Sequence, residues 1–287
     1  ILGSGNNSKL GNILVVSKDG NVIVSTEDIN NNLGIKIYEY VNGSWISRGT
    51  TIQPTYYDAI YDFTYNVSFN ANISISLSYD GHKILFGIPI IRNGFAEYYS
   101  YDNNWNSITS EYQRFVQDPN FFDDNSNNSE FGYSTAINSD GNIICISNPT
   151  WIYYGIVFVY VSSNSQFIVS NYTYVQPYYP YPFRYGEVIM LNNIGNKLVI
   201  SGPNYYDINN LNQYQEGYIE TYVTNDNWVN KQKQNDIIGD TNFIIGNKNK
   251  VYLSGDGTYL ALSNSDYQNS GYGTGSIKIY KWFGYWH

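Results

Sequence analysis

Thr135-Ala136-Ile137-Asn138-Ser139-Asp140-Gly141-Asn142-Ile143-Ile144-Cys145-Ile146-Ser147 is the stretch on which the fold turns. Two apolar runs flank Asp-Gly, a strong short-range hairpin signal because glycine enters the left-handed region without steric cost. The same pattern stands at Ile13–Ser25, around Lys18-Asp19-Gly20-Asn21, and again at Tyr79-Asp80-Gly81 and Gly255-Asp256-Gly257. Asn193-Ile194-Gly195 keeps the glycine without the acid.

Working outward, these hairpins belong to a repeat, and a repeat decides architecture before anything else. The turn glycines Gly20, Gly81, Gly141, Gly195 and Gly257 recur about every sixty residues. A second glycine opening a strand keeps that period at Gly34, Gly94, Gly155, Gly217 and Gly275. An aromatic keeps it at Trp45, Trp105, Phe167, Trp228 and Trp286, where a fourth strand is expected to begin. Four antiparallel strands per unit form the blade of a propeller, which buries its faces by stacking on its neighbours. The expected fold is therefore all-β, a five-bladed β-propeller of four-stranded antiparallel blades in one domain over 1–287. The units fall at about 9–57, 58–130, 131–184, 185–242 and 243–287, with 1–8 completing the last. Trp286 leaves one residue for the fourth strand of unit five. Ile1 to Gly5 are accordingly expected to supply it, closing the ring by pairing the N- and C-terminal segments and hiding edges that would recruit other strands.

Composition narrows the function classes. Only 14% of residues are charged, so Asn, Ser, Tyr and Gly carry the polar surface. The net charge of −9 argues against nucleic-acid binding, which requires a basic stripe to displace counterions. No apolar run approaches the length of a membrane-spanning helix. Cys145 is the single cysteine, in apolar company with Ile143, Ile144 and Ile146, and reads as a small buried core residue.

Phe131-Gly132, nine residues before the turn glycine, resembles the FG-GAP repeat of integrin α-chain heads and of many bacterial and giant-virus surface proteins. Leu10-Gly11 and Tyr185-Gly186 hold the same position in units one and four. Gly87-Ile88-Pro89 and Ser201-Gly202-Pro203 look like its "GAP" element. Units two and five lack the Phe-Gly pair. The resemblance implies the propeller fold; in an Asn-, Tyr- and Ile-rich chain it also implies a structural protein of a virion, or an adhesive one of an extracellular surface. Integrin-type repeats carry calcium in a loop of several carboxylates. Here that connection holds one aspartate, and a hard cation needs six to eight oxygen ligands. Asp28-Ile29-Asn30-Asn31-Asn32, the nearest metal-like spacing, reads as a solvated Asn-rich loop. No metal and no cofactor are expected.

Catalysis finds little support. The two histidines are His82, after a hairpin glycine, and His287, the last residue, and neither completes a nucleophile–base arrangement. Asp123-Asp124 sits in a polar loop. The protein is expected not to be an enzyme. Tyrosine, at 32 residues, is the unusual ingredient. Pro177-Tyr178-Tyr179-Pro180-Tyr181-Pro182-Phe183 reads first as a stiff connector, and second as a recognition surface together with Tyr205 and Tyr206, since tyrosine gives amphipathic contact at low entropic cost. Tyr56, Tyr57 and Tyr214 lie in comparable loops. The candidate binding residues are thus Tyr178, Tyr179, Tyr181, Phe183, Tyr205 and Tyr206. The expected partner is a protein in a surface assembly, with a host glycan held by tyrosine-rich loops as the alternative.

Overall fold

The computed structural model describes residues 1–58, 63–90, 94–101, 112–116, 129–150, 155–163, 166–175, 182–205, 217–239, 251–264 and 275–287. Their regular structure is entirely β. Sheet one pairs β1 (Leu14–Val16), β2 (Val22–Ile29), β3 (Asn32–Val41) and β4 (Ser44–Ile52) in chain order. A ribbon of β5 (Thr55–Asp58) and β6 (Phe63–Asn66) follows. Sheet two contains β7 (Ser74–Leu77), β8 (Lys83–Ile88), β9 (Phe95–Ser100) and β10 (Gln113–Val116). Sheet three contains β11 (Thr135–Ile137), β12 (Ile143–Asn148), β13 (Ile156–Ser163) and β14 (Gln166–Val175). Next come β15 (Pro182–Phe183), β16 (Ile189–Leu191), β17 (Lys197–Gly202), β18 (Asn204–Tyr205), β19 (Tyr218–Thr224), β20 (Lys231–Lys233) and β21 (Ile237–Ile238). β15 and β18 pair as a second ribbon, and the other five form sheet four. Sheet five is β22 (Val251–Leu253), β23 (Tyr259–Asn264) and β24 (Ser276–Lys281).

The predicted hairpins all form, and one chemistry builds each. The turn glycines have φ of +69° to +78°, which a side chain resists. Three residues earlier stands Ser17, Ser78, Asn138, Asn192 or Ser254, whose side-chain oxygen accepts the amide two residues beyond the glycine. Asp19, Asp80 and Asp256 add a second clamp, each accepting the neighbouring serine hydroxyl and the amide two residues on. The Asn-rich segment after Asp28 is also a tight hairpin. Asn30 and Asn31 both have positive φ, 54° and 65°, as a type I′ turn requires, and Asp28 accepts the Asn31 amide at 2.7 Å.

Neighbouring sheets meet at a repeated joint. The residue two places after one turn glycine lies beneath the turn glycine of the next sheet: Val22 under Gly81, Lys83 under Gly141, Ile143 under Gly195, Lys197 under Gly257. The turn backbones are also hydrogen-bonded in series, from Asp19 N to Tyr79 O, Tyr79 N to Ser139 O, Ser139 N to Asn193 O, and Asn193 N to Gly255 O. Each joint encloses its own apolar cluster. Val24, Ile35 and Ile37 face Ile84 and Phe86 between sheets one and two. Tyr98 faces Ile144 and Phe158 at the next joint, Val157 and Val159 face Leu198 and Ile200 at the third, and Ile219 faces Leu260 and Leu262 at the fourth. Cys145 is fully buried in the third cluster, as its neighbours in sequence imply.

The chain ends depart from expectation. Ile1 to Gly5 form no strand and do not join sheet five. The Ser4 amide bonds Glu27 of sheet one, and Ser8 and Gly11 engage Asp28 and Thr26 along β2. Sheet five has three strands; beyond β24 the chain folds back so that Lys281 and His287 exchange backbone hydrogen bonds. Phe167 and Trp45 do start fourth strands, whereas Trp228 lies three residues before β20, plugged into the core with its indole donating to Gly195 O. Trp105 lies outside the described residues.

Candidate functional surfaces

Three features of the molecule could serve a function: the cavity between the sheets, the buried carboxylates, and the exposed apolar faces. The first strands of all five sheets line one cavity of about 700 Å³. Its wall includes Leu14 and Val15, Ser74 and Ile75, Ser134 and Thr135, Ile189 and Met190, and Val251 and Tyr252. Hydroxyls stitch these strands together: Ser74 and Ser76 reach Thr135 Oγ1 at 3.1 and 3.3 Å, and Ser134 Oγ accepts the Ile189 amide at 3.3 Å. These hydroxyls are thereby committed to joining sheets.

Among the described residues four carboxylates are buried, and each is neutralised in place. Glu97 on β9 lies opposite Arg114 on β10 and accepts its guanidinium at 2.7 to 2.8 Å, with Tyr99 and Tyr112 hydroxyls donating to the same group. Glu220 on β19 repeats this with Lys233, Tyr185 and Tyr222. Glu187, before β16, takes Tyr133 at 2.8 Å and Arg184 at 2.6 Å, and Arg184 also pairs with Glu130. Glu27 pairs with Lys36 at 2.6 Å. Burial, and then the charge of Glu187, push the Tyr133 hydroxyl up to about 12. Such groups hold fixed charges against fixed partners, which suits them to positioning strands. The sequence carried a signal for two of these sets: Glu97 with Tyr99, and Glu220 with Tyr222, stand at i and i+2 and so share a strand face.

Of the residues proposed from sequence, Tyr178, Tyr179, Tyr181 and Tyr206 lie outside the described residues, as does Tyr214. Phe183 and Tyr205 lie on the β15–β18 ribbon, with Phe183 opposite Asn204 and Tyr205 opposite Pro182. That ribbon leaves sheet four at the end remote from its hairpin turn, because it precedes β16 and follows β17. In the β5–β6 ribbon Tyr56 stacks on Tyr65 at 5.5 Å, and Phe63 meets Tyr65 edge-on at 5.0 Å. Phe63 is exposed. Among the described residues no group of three His, Cys, Asp or Glu could hold a metal ion, and no helix is long and apolar enough to cross a membrane.

The exposed apolar faces were not legible in the sequence. Four joints link five sheets in series, and the fifth, between sheets five and one, is unfilled among the described residues. Gly20 and Gly11 have open space where the other joints are packed. Ile277 and Ile279 on β24 are 70% and 68% exposed, although their counterparts Ala96 and Tyr98, Val157 and Val159, and Ile219 and Thr221 are all buried against a following sheet. On the opposite side Val16 is 46% exposed, whereas its counterparts Leu77, Ile137 and Leu191 are buried against a preceding sheet.

No protein-family model and no curated protein sequence matches the chain. Solved structures do. A functionally unknown protein from Desulfotomaculum acetoxidans aligns over 96% of this chain and 69% of its own, at 12% identity and a TM-score of 0.54. A protein from Lactobacillus plantarum aligns over 93% of this chain and 66% of its own, at 13% identity and 0.53. A prolyl endopeptidase structure aligns over 97% of this chain at 11% identity and 0.55, and the chain spans a third of its length. At such identities the likeness is one of fold. Several four-stranded antiparallel sheets set around a shared cavity make this a β-propeller.

Proposed function

We propose that the protein is a non-catalytic, five-bladed propeller that serves as a structural or adhesive module at a virion or cell surface, where it binds another protein. The observation that carries this reading is the pair of apolar sheet faces left in solvent at the two ends of the blade series. Contiguous exposed apolar surface of this kind marks interaction sites. The committed carboxylates support the absence of catalysis, since a general acid or base must exchange its proton freely. The FG-GAP likeness agrees, with Gly11, Gly132 and Gly186 sharing φ of +90° to +94° at the three Phe-Gly positions. The net charge of −9 favours a partner other than nucleic acid.

A second reading is a lectin, favoured by the stacked and exposed aromatics of the β5–β6 ribbon. Aromatic faces of this type pack on the apolar faces of sugars. Screening on a glycan array and against a panel of ester, lactone, peptide and phosphate substrates separates the readings. The protein-binding module predicts blanks in both. A glycan signal lost on Phe63→Ala or Tyr178→Ala replaces it with the lectin, and turnover of any substrate lost on Glu187→Gln removes the non-catalytic claim.

A further inference from the structure

We propose that the cavity between the sheets binds a small organic ammonium ion with an apolar body, its charged head held at Glu187. This site is separate from the outer sheet faces on which the protein-binding reading rests. At about 700 Å³ the cavity falls within the range of small-molecule sites, about 300–1,000 Å³. Its chemistry changes along its length. Asn12, Asn72 and Glu187 stand eight or nine residues before their turn glycines, where each first strand begins, remote from the hairpins. Leu14, Ile75, Met190 and Tyr252 stand five or six residues before theirs. A polar rim therefore lies about 7–13 Å from an apolar belt, at the rise of a strand. Leu14 and Tyr252 line the cavity and are each 55% exposed, so the belt offers apolar surface that no other side chain covers. Beyond the belt the turns are hydrogen-bonded in series, and Lys18 of sheet one bonds Asn193 of sheet four across them. That end is braced, and the rim is the way in.

Charge selects the head of the ligand. Among the described residues that line the cavity, Glu187 is the one carboxylate, and no Lys, Arg or His joins it. The Tyr133 hydroxyl donates to Glu187 Oε1 at 2.8 Å and Arg184 Nε donates to Oε2 at 2.6 Å. Arg184 also pairs with Glu130, so two carboxylates share one guanidinium and the set keeps an excess negative charge. An ionised carboxylate has about four acceptor sites, and the two bonds to Glu187 leave about half of them free. Asn12 and Asn72, both exposed, add side-chain carbonyls to the same rim. An ammonium brings three donors and no acceptor, which is what such a rim can satisfy. A carboxylate or phosphate head would meet the charge of Glu187 with no basic group of the wall to receive it. The apolar body then runs inward to the belt.

The test is titration calorimetry with n-octylammonium, n-octanol and n-octanoate, three probes with one apolar chain and different heads, each kept below the concentration at which it forms micelles. The wild type should bind n-octylammonium with one-to-one stoichiometry, and bind n-octanol and n-octanoate at least about tenfold more weakly. Glu187→Gln keeps an acceptor but removes the charge, and should weaken n-octylammonium at least about tenfold. Leu14→Trp enlarges a side chain that already stands exposed in the cavity, and should weaken it as well. Asn72→Asp places a second carboxylate on the rim at an exposed position and should tighten binding about threefold, the scale of an exposed ion pair. That gain cannot arise from a variant that fails to fold, and circular dichroism checks the other two. A wild type that binds none of the probes overturns the proposal. So does n-octanoate or n-octanol binding as tightly as n-octylammonium, since the head would then not be read. Binding that is unchanged in both Glu187→Gln and Leu14→Trp would place the ligand elsewhere and overturns it equally.

Discussion

Replacing Gly20 and Gly81 with alanine, one at a time, separates a filled joint from a vacant one. The two glycines occupy the same place in the same turn, with φ of +78° and +75°. Alanine in that left-handed conformation costs about 1–2 kcal/mol at either site. At Gly20 nothing else happens, because no atom lies within 4 Å of the new methyl. At Gly81 the methyl would sit 2.5 Å from the Val22 Cβ, a branch point that cannot swing aside, so the two sheets must part. Overpacking of a close-packed core adds about 1–3 kcal/mol. The expected losses are therefore about 1–2 kcal/mol for Gly20→Ala and roughly 2–5 kcal/mol for Gly81→Ala. Melting curves at low protein concentration read the difference, at about 2–4 °C per kcal/mol for chains approaching this size. Equal losses would refute the reasoning, since Gly20 would then be packed in solution as Gly81 is.

Other consequences follow from the buried charges and the turns. Lys197 is buried against Trp282, 3.9 Å from the ring centre, while donating to Gly257 O; burial lowers its pKa to about 8, with Asp256 partly opposing. The native state then releases a proton that the unfolded chain keeps up to about 10.5, so stability rises between those values. Denaturant melts of wild type and Lys197→Met should differ in that slope, and matching slopes would remove it. Glu220→Ala leaves Lys233 with Asp236 and removes the acceptor of two tyrosine hydroxyls, and should cost about 3 kcal/mol, the low end of the range for breaking a buried pair; a loss under about 1 kcal/mol would show the network to be solvated. Chelation with EDTA should leave the melting temperature unchanged, because a ligand bound to the native state alone would have raised it. A clear drop would place a cation in the Asn-rich turns.

What was legible from sequence was whatever a single residue must do for its own backbone. A glycine forced to positive φ is visible at Gly20, Gly81, Gly141, Gly195 and Gly257, and from their spacing come the hairpins and the five units. The Ser or Asn three residues earlier was equally present and would have added a fourth marker, since its oxygen has the same amide to cap in every unit. The joints were not legible. The residue beneath each following glycine is valine, lysine, isoleucine or lysine, and its role is set by a contact between units rather than by its own pattern. Ring closure was misjudged for a related reason: strand arithmetic assumed that all five joints form. The N-terminal segment instead finds its partners in Glu27, Thr26 and Asp28 of its own sheet. Tyr56 and Tyr57, which pattern reading had placed in a loop, lie on the β5–β6 ribbon.

Hydrogen exchange at the five turn amides tests the central claim most directly. Asp19, Tyr79, Ser139 and Asn193 each donate to the turn of the following sheet, at 2.6 to 3.2 Å. Gly255 holds the fifth position and has no such acceptor among the described residues. In dilute solution, followed residue by residue by NMR, the first four should be protected and Gly255 should exchange at close to the rate of an open loop. Protection of Gly255 equal to the others at low concentration would contradict the account, because the ring would then be closed by the chain itself.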